Sequence, residues 1–527
     1  MKKNIILSLT LFFFVINIFA EDIVILYDND VHCAISGYSK MGALRDEFEK
    51  QHKHVTVVSS GDFLQGDIIG AESKGDAIVT IMNSVGYDIV TLGNHEFDYG
   101  ITQLNSLTKE LKASVVCCNF LKIDKTPVFP AYIIKEYGSR HIAFIGITTP
   151  TTTTTSLPAI FFDNKGERAY TFCWDNLANV LQNTVDKIRT SGVDYVILLS
   201  HIGTEADAHG INIQALAAST SGIDIILDGH SHSVIPYEII PNINGEDVIL
   251  CQTGTRFANI GQLTIKDNGE INNQLIPLSS ITNKKAKTEE LITRYNKELS
   301  SITNRVIGKS RVTLTINHSN GERAIRSAET NLGDFFADAI RFSCDADVAL
   351  INGGSIRTDI PAGKITYGNL RSTSPFNNKV MTAHATGAKI LDILEAAVAF
   401  LPEESGSFLQ VSGITFDVDT SIPTPVQFTK DGFVKSINGT RRISNVRIWN
   451  STKRTFETLD SSHNYLIAST DYPLLNRGCH GSFGGCTLDG ETYGWVIDII
   501  EKYIQENLSG TVGEEFRLPA NRIRIKK

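Results

Sequence analysis

The chain lacks an excess of positive charge. Its 527 residues carry 49 Lys and Arg against 58 Asp and Glu, a formal net charge of −9 at pH 7. Polymer phosphates repel an acidic protein, so the composition excludes non-specific binding to nucleic-acid polymers. A small phosphate ester remains compatible with this charge wherever metal ions or local arginines neutralise it.

Long apolar runs are also scarce. One such run occupies residues 5–19, after Lys2 and Lys3 and before the small residue Ala20. It is short for a membrane span, and no stop-transfer segment follows it, so the pattern favours a cleaved secretory signal over a membrane anchor. We expect the mature protein to be periplasmic or secreted, without stable membrane insertion.

The eight cysteines lack the spacing of a structural metal site. Disulfides are permitted in an exported protein. Cys479 and Cys486 flank a Gly-rich loop and are the best candidate pair, whereas the adjacent Cys117 and Cys118 end an apolar run and are typical of a core. The sequence does not determine the connectivity.

Short runs rich in Val and Ile alternate with amphipathic stretches up to about residue 280, a pattern that predicts an α/β domain with a buried sheet. The runs are 23–27, 55–58, 89–92, 115–118, 142–147, 195–199 and 223–227. Residues 177–189 have helical spacing, and the threonine run at 151–155 predicts a surface loop.

A polar stretch without Gly or Pro at 284–303 carries apolar residues at helical spacing and predicts an exposed helix that links two domains. From about residue 306 a second region has its own predicted elements. They are strands at 348–351 and 380–383 and helices at 332–342 and 388–400.

Polar segments rich in Asp and His directly follow the apolar runs. They are Asn-Asp-Val-His at 29–32, Ser-Gly-Asp at 60–62, Gly-Asn-His-Glu-Phe-Asp at 93–98, Ser-His at 200–201 and Asp-Gly-His-Ser-His at 228–232. Taken singly, each is more typical of a turn, a helix cap or a hydrogen-bonded histidine. Together they favour one crevice at the carboxyl ends of the strands. Imidazole and carboxylate mixtures favour Zn, Mn, Fe or Co, and Asp62 is the candidate to bridge two ions.

This order of segments resembles the calcineurin-like metallophosphoesterases, and the 93–98 segment resembles the version found in 5′-nucleotidases and periplasmic UDP-sugar hydrolases. The resemblance implies two divalent ions, with Zn, Mn or Co expected. It assigns Asp30, His32 and His232 to one ion, Asn94, His201 and His230 to the other, and Asp62 to both. Many relatives carry an amide at the place of His232, a difference that can shift metal preference.

A water between two such ions is acidified toward neutrality and would supply the hydroxide that attacks phosphorus. His95 is next to Asn94 but is not assigned to metal, and its imidazole can stabilise the transition state or protonate the leaving group. Asp98 would orient that imidazole and favour its protonated form. The alternative reading of Asp98 is a cap for the following helix.

The second region carries Glu-Thr-Asn-Leu-Gly-Asp at 329–334 and Asn-Gly-Gly-Ser-Ile-Arg at 352–357. Backbone amides at Gly353 and Gly354, with the planar fork of Arg357, suit an anionic oxygen group. Each segment alone could be an ordinary turn. Together they resemble the C-terminal domain of 5′-nucleotidases.

That resemblance implies that Arg326, Asn352 and Arg357 contact the phosphate or ribose, and that Phe376 and Tyr472 stack on the base. Members of that family follow the second aromatic residue with a Gly-Gly-Asp-Gly turn whose aspartate contacts ribose. Here residues 477–481 read Arg-Gly-Cys-His-Gly, so the resemblance does not extend to ribose recognition.

The predicted architecture is α/β: a signal peptide at 1–20, a metallophosphoesterase α/β sandwich at 21–283, a linking helix at 284–305 and an α/β substrate domain at 306–527. The predicted activity is phosphate release from nucleoside 5′-monophosphates, with nucleoside diphosphates and UDP-sugars as further candidates. Metals and base contacts on different domains predict hinge-like closure near 300–306.

Two alternatives stay open. The unusual loop at 477–486 favours a 2′,3′-cyclic nucleotide phosphodiesterase or another phosphomonoesterase. A secreted binding protein without turnover is the other, and loss of a ligand or of His95 would have favoured it. The partner is a small nucleotide or phosphate ester, and the oligomeric state is not predicted.

Overall fold

The computed structural model describes residues 22–526, apart from 53, 157, 164–165, 207–209, 431 and 476 and the side chain of Glu491. The predicted signal peptide at 1–20 lies outside this part of the chain. Within it, no helix is both long enough and apolar enough to cross a membrane.

Two six-stranded sheets form the N-terminal half. In spatial order the first contains Ile271–Pro277, Asn259–Ile265, Ile23–Asp28, His54–Ser59, Ile89–Val90 and Ser114–Val115. The second contains Val234–Pro241, Asp247–Thr253, Ile225–Leu227, Tyr195–His201, Arg140–Thr148 and Tyr132–Tyr137. The central pairs of both sheets are parallel, as is the edge pair of Ile89–Val90 and Ser114–Val115, whereas the remaining outer pairs are antiparallel. The prediction of an α/β fold is confirmed.

Strand Ile23–Asp28 shows why the apolar runs are continuous. Ile25 packs between the two sheets with Phe144, while its neighbour Leu26 points the opposite way and packs with Met41 of a covering helix. Successive side chains of a strand face opposite sides, so a strand covered on both faces needs apolar residues at every position.

Helices cover the outer faces of these sheets. The α-helices of this half are Tyr38–Gln51, Ile68–Ser73, Asp76–Val85, Ile101–Glu110, Thr152–Thr155, Leu177–Arg189 and Ile213–Ala217. Helix Leu177–Arg189 has the predicted bounds, and Cys117 and Cys118 are buried as predicted.

The threonine run corrects the prediction of a surface loop at 151–155. Thr152, Thr153 and Thr154 are buried in a short helix. The Thr152 hydroxyl donates to the carbonyl of Thr149, and the Thr154 hydroxyl donates to that of Thr151. A threonine that satisfies its hydroxyl locally can be buried at little cost, so a run of them need not face solvent.

Helix Ala286–Thr303 lies within the range predicted for the linking helix. Its apolar stripe, which includes Leu291, Ile292 and Tyr295, packs onto the helices of the N-terminal half rather than standing free in solvent. At its C-terminal end Gly368 fits closely against Thr303, since a Cβ at that glycine would lie 2.9 Å from the Thr303 carbonyl oxygen.

Three further sheets form the C-terminal half. The three-stranded sheet contains, in spatial order, Gly363–Thr366, Val306–Ser310 and Thr511–Val512. The five-stranded sheet contains Leu409–Ser412, Val348–Asn352, Asn464–Thr470, Lys379–Thr386 and Thr487–Trp495. The four-stranded sheet contains Thr455–Thr458, Ile443–Asn450, Ile414–Asp419 and Ile523–Lys526. The helices are Asn331–Ser343, Tyr367–Thr373, Gly387–Ala397, Asp471–Leu474 and Val496–Lys502, the last continued by a π-helix at Tyr503–Asn507.

One hairpin and one two-stranded sheet complete the fold. Val426–Phe428 pairs with Val434–Ile437 in the C-terminal half, and Leu121–Lys122 pairs with Tyr170–Thr171 in the N-terminal half.

The segment at 329–334 fastens the C-terminal end of the chain. The Glu329 carboxylate accepts a hydrogen bond from the backbone amide of Ile523, and the Asp334 carboxylate accepts one from the backbone amide of Ala520. The Asn331 side chain donates to the carbonyls of Phe516 and Thr313. This segment therefore holds the C-terminal strand in its sheet.

Replacing Asn331 with Ala should lower the free energy of unfolding by about 2–4 kcal/mol, because it leaves buried backbone groups unpaired. The lost contacts include the bond from the amide of Thr315. Urea unfolding followed by circular dichroism measures the change. Asn320→Ala, at an exposed turn, is the matched control and should shift the midpoint little. Equal midpoints for the two variants would contradict the anchoring role.

Candidate metal centre and substrate cleft

The predicted metal-binding side chains lie where the central strands of both sheets end. Asp30 and His32 follow strand Ile23–Asp28, Asp62 follows His54–Ser59, and His201 ends Tyr195–His201. Asn94 follows strand Ile89–Val90, and His230 and His232 follow Ile225–Leu227. The topology thus brings residues far apart in sequence to one edge of the sandwich.

Several of these residues have left-handed backbone conformations. The φ angles are 50° at Asp30, 45° at His32, 59° at Asp62, 74° at His230 and 59° at His232. A non-glycine residue in such a conformation costs of order 1–3 kcal/mol and persists where the surroundings enforce it. Five of the seven residues that sequence motifs assign to metal therefore have a strained backbone.

The side-chain atoms converge on a small volume. His32 Nε2 lies 3.0 Å from His232 Nε2. His232 Nε2 lies 3.4 Å from Asp30 Oδ1, and His201 Nε2 lies 3.2 Å from Asp62 Oδ2. Ligand atoms of Asp30, Asp62 and His201 lie within 4.8 Å of one another, as do those of Asp30, His32 and His232.

The other two predicted ligands lie beside this cluster. The His230 ring is 5.2 Å from the His201 ring, and its backbone amide donates to Asp30 Oδ2 at 2.9 Å. Asn94 is buried between Gly93 and His95, and the His95 amide donates to Asp62 Oδ1 at 2.9 Å.

Buried polar atoms without a hydrogen-bond partner indicate whether these residues could hold metal ions. Asp30 Oδ1, Asn94 Oδ1 and His201 Nε2 are buried without any hydrogen-bond partner. In His32 and His201 the Nδ1 atom is already hydrogen-bonded. His32 Nδ1 donates a hydrogen bond to the carbonyl of Gln65, and His201 Nδ1 donates one to the carbonyl of Ser60. These bonds leave the Nε2 lone pairs facing the cluster, which is the tautomer that a metal ligand needs. The donor set fits divalent transition ions.

Charge reinforces this arrangement. Burial raises the pKa of the Asp62 and Asp30 carboxyls, but neighbouring imidazoles, His201 first, outweigh burial and hold both below their ordinary range. Burial lowers the pKa of His201, and the same carboxylates outweigh it and hold that pKa above its ordinary value. The buried carboxylates thus require positive charge in the cluster, which protons or metal ions can supply.

Glu96 is a residue whose role the sequence did not suggest. Its carboxylate accepts from the backbone amides of Asp62, Phe63, Leu64 and Gly93, at 2.6–3.0 Å. It therefore fixes the turn that carries Asp62 against the turn that carries Asn94. The Glu96 carboxylate accepts hydrogen bonds from four backbone amides and so has a structural role. The only sequence signal for this role was the position of Glu96 inside the 93–98 segment.

His95 and Asp98 are paired as predicted. His95 Nδ1 lies 2.6 Å from Asp98 Oδ2, and the Ser156 hydroxyl donates to Asp98 Oδ1 at 2.8 Å. Burial lowers the pKa of His95, but Asp98 and Asp62 outweigh it and raise that pKa above its ordinary value. The alternative reading of Asp98 as a helix cap is wrong, since the next helix begins after Gly100.

Residues of the C-terminal half face this centre across a cleft. The Phe376 ring lies 6.5 Å from the His95 ring, and the Arg357 guanidinium lies 5.9 Å from the Phe376 ring centre. Nearby, Arg371 of the C-terminal half forms an ion pair at 2.8 Å with Glu72 of the helix Ile68–Ser73 in the N-terminal half. The predicted phosphate and base residues are therefore next to the predicted metal ligands.

Arg326 and Arg357 are buried close to each other, and the positive charge of each lies near other arginines. Burial lowers the pKa of Arg326, and the nearby guanidiniums of Arg357 and Arg323 lower it further. Among the described residues Arg326 forms no side-chain hydrogen bond or ion pair. Asn352 Oδ1 is also buried without a partner. An anion held between the guanidiniums would relieve their repulsion.

The prediction that the backbone amides of Gly353 and Gly354 bind an anion is wrong. The amide of Gly353 donates to the carbonyl of Phe408 at 2.7 Å, and that of Gly354 donates to Gly406 at 3.0 Å. Both amides are therefore used inside the domain and do not face an anion. The glycines serve close packing instead, because a Cβ at Gly353 would collide with the carbonyl of Ile325.

Tyr472 lies at the boundary of the two halves. Its hydroxyl donates to the carbonyl of Thr154 at 3.0 Å. Burial raises the pKa of that hydroxyl, with Cys479 and Asp98 adding to the shift and Arg326 opposing it. The neighbourhood of Asp98 and Arg326 places this ring beside the cleft.

The candidate disulfide is not formed. Cys479 and Cys486 are both free thiols, as are the other cysteines of the described chain. Both pack into the apolar cluster around Phe408 and Phe483. Burial raises the pKa of the Cys479 thiol, which keeps it protonated and unreactive.

Family comparisons agree with this geometry. Residues 306–483 match the family model described as 5′-nucleotidase, C-terminal domain. Residues 55–254 match the family model described as bacterial capsule synthesis protein PGA_cap.

Curated relatives cover most of the chain. The trifunctional nucleotide phosphoesterase protein YfkN of Bacillus subtilis (strain 168) is 27% identical over 547 residues, which cover 94% of this chain and 35% of that protein. This chain thus spans about a third of the length of YfkN. The snake venom 5′-nucleotidase of Crotalus adamanteus is 25% identical over 457 residues, covering 76% of this chain and 74% of that one.

A solved structure shows the same two-domain fold. The 5′-nucleotidase precursor from Thermus thermophilus superposes with a TM-score of 0.78 at 23% identity, covering 96% of this chain and 99% of that one. The C-terminal half thus matches a 5′-nucleotidase domain, and the chain is similar to 5′-nucleotidases in sequence and in two-domain fold.

Proposed function

We propose that this chain is a phosphohydrolase that releases phosphate from nucleoside 5′-monophosphates and depends on two divalent cations. The observation that supports this most strongly is the cleft itself. A buried carboxylate–imidazole cluster faces the Arg326 and Arg357 guanidiniums and the Phe376 ring across the two halves. A nucleotide presents the complementary groups: an anionic ester and an aromatic base.

The residues assigned to the cations are Asp30, His32 and His232 for one, and Asn94, His201 and His230 for the other, with Asp62 shared by both. The 3.2 Å and 3.4 Å carboxylate–imidazole distances support a shared cluster. Two cations held there would acidify a water and neutralise charge on the phosphoryl oxygens. Zn, Mn and Co suit this donor set.

His95 would act on the leaving group. Its raised pKa keeps a proton on the imidazole, and Asp98 holds Nδ1 so that Nε2 faces the cleft. From there the proton can stabilise the transition state or pass to the departing oxygen. Arg326 and Arg357 would hold the phosphate, while Phe376 and Tyr472 would border the base.

The family comparisons support a nucleotide ester without fixing which one. YfkN is named a trifunctional nucleotide phosphoesterase and the venom relative a 5′-nucleotidase. The second candidate function is cleavage of 2′,3′-cyclic nucleotides, which the divergent loop at 477–486 favours. We also propose export of the chain, on the pattern of residues 1–20.

Phosphate release by the purified protein with Mn, Zn, Co and Mg tests the proposal. The substrates are AMP, UDP-glucose, 2′,3′-cyclic AMP and an aryl phosphate. Release from AMP that stops with a chelator supports the nucleotidase proposal. Opening of the cyclic ester gives a phosphomonoester without free phosphate, so it is followed by chromatography of the nucleotide products. Opening of the cyclic substrate without phosphate release from AMP supports the second candidate, and no turnover of any substrate with any metal contradicts both.

Replacing His95 with Ala should lower kcat for AMP by about 10²–10⁴-fold, the usual contribution of a proton-transferring side chain. Affinity for Mn should stay within about twofold of the parent, because His95 is not assigned to metal. Steady-state kinetics and calorimetric titration measure the two quantities. His141→Ala, at an exposed histidine, is the control. A large loss of Mn affinity in the His95 variant would instead make His95 a ligand.

Replacing Glu96 with Gln should weaken Mn binding by about tenfold or more, as changes behind metal ligands do. The reason is that an amide nitrogen would face backbone donors now bound by a carboxylate oxygen. Calorimetric titration of the metal-free protein measures it. Glu47→Gln changes an exposed glutamate of a nearby helix and should leave the affinity unchanged. If the Glu96 variant binds Mn like the parent, the carboxylate does not position the ligands.

A further inference from the structure

The loop at 477–486, which lacks the expected aspartate, is built onto the hairpin of Val426–Phe428 and Val434–Ile437. His480 Nδ1 donates to the carbonyl of Gly432 at the hairpin tip, at 2.8 Å. The His480 ring also lies 5.2 Å from Phe400 and 5.3 Å from Phe428. The loop and the hairpin therefore form one unit, which we call the clasp.

The clasp contacts the other half of the molecule. The Arg477 guanidinium lies 4.1 Å from the ring centre of Phe162, and Phe433 of the hairpin lies 5.9 Å from the same ring. Gly432 packs against Trp174, where a Cβ would come within 2.9 Å of the indole. The receiving surface is thus formed by Thr154, Phe162 and Trp174 of the N-terminal half, not by a substrate.

The clasp also supports Tyr472. The Gly478 amide donates to the carbonyl of Tyr472 at 2.9 Å. Gly478 lies so close to the ring that any Cβ there would collide with it. The hydroxyl of Tyr472 donates to Thr154, at the edge of the same receiving surface. One face of the ring is therefore backed by the loop, and its edge is fixed by the opposite half.

We propose that Arg477 and Phe162 are positioning residues that complete the base-binding wall at Tyr472 only when the two halves are closed. The loop at 477–486 exchanges a ribose contact for a contact between domains. This inference rests on the proposed nucleotide site for its effect on substrate, but not for its effect on closure.

The chemistry of the contact suits a reversible latch. Arg477 is exposed, so its cation–π contact is partly solvated and weak. Phe162 and Phe433 are half-buried rings rather than core residues. A contact of this kind shifts a closed–open equilibrium without locking it, and the apparent affinity for substrate falls in proportion to the closed fraction.

The first test measures closure without any nucleotide. Spin labels on unnatural ketone side chains at Lys112 and Thr452, exposed positions on the two halves, report the interdomain distance by pulsed electron resonance in the Mn-loaded protein. We expect the parent to populate the closed distance, and Arg477→Ala and Phe162→Leu to shift population to another distance. An unchanged distribution in both variants, or a parent that does not populate the closed distance, overturns the proposal.

The second test separates positioning from chemistry. With AMP, Arg477→Ala should raise KM about fivefold and leave kcat within about twofold, because saturating substrate restores closure. Arg477→Lys should lie between, since an ammonium lacks the planar stacking face. Arg454→Ala, at an exposed arginine of the same half, should match the parent.

The outcomes distinguish the two proposals. If the parent does not hydrolyse AMP, the nucleotidase proposal fails while the distance measurement still tests the latch. If AMP is hydrolysed and Arg477→Ala lowers kcat with KM unchanged, the latch does not position Tyr472 and the inference is wrong. Equal melting temperatures of the variants and the parent ensure that the comparison concerns folded protein.

Discussion

The arrangement depends on one electrostatic constraint: two buried carboxylates, Asp30 and Asp62, need positive charge close by. Burial alone would protonate them, and the surrounding imidazoles prevent that. Buried charge is tolerated only when paired or bound to metal. The hydrogen bonds from backbone amides to Glu96 fix the turn that carries Asp62, and the surrounding structure enforces the strained backbone at both carboxylates.

The need for positive charge near Asp30 and Asp62 also explains why the two halves carry different side chains. The N-terminal half concentrates carboxylate and imidazole groups, whereas the facing half contributes the guanidiniums of Arg326 and Arg357, of which Arg326 forms no side-chain hydrogen bond among the described residues. In the proposed function, a phosphate ester between them would be attracted from both sides, by cations on one and by arginines on the other. His95 lies between the two, paired with Asp98 and close to Phe376. Recognition and chemistry therefore share one cleft whose shape depends on how the halves meet.

The sequence predicted the parts that local pattern determines. Runs of Val and Ile indicated the central strands, and polar segments after them indicated the cluster, because strand ends in a parallel sheet meet at one edge. The sequence did not predict which partners the backbone amide and carbonyl groups have. The amides of Gly353 and Gly354 are used within their own domain, and Thr152 and its neighbours are buried because their hydroxyls bond locally. Glu96 and the Tyr472–Thr154 bond join segments far apart in the chain, which periodicity cannot reveal.

The central claim is that the cluster holds two cations through Asp62, and a single measurement addresses it most directly. Calorimetric titration of the metal-free protein with Mn gives the number of ions bound per chain, for the parent and for Asp62→Asn. The account predicts two ions for the parent and a loss of at least one in the variant, because the shared carboxylate is removed. Binding of one ion or none by the parent, or two ions in both proteins, would contradict it.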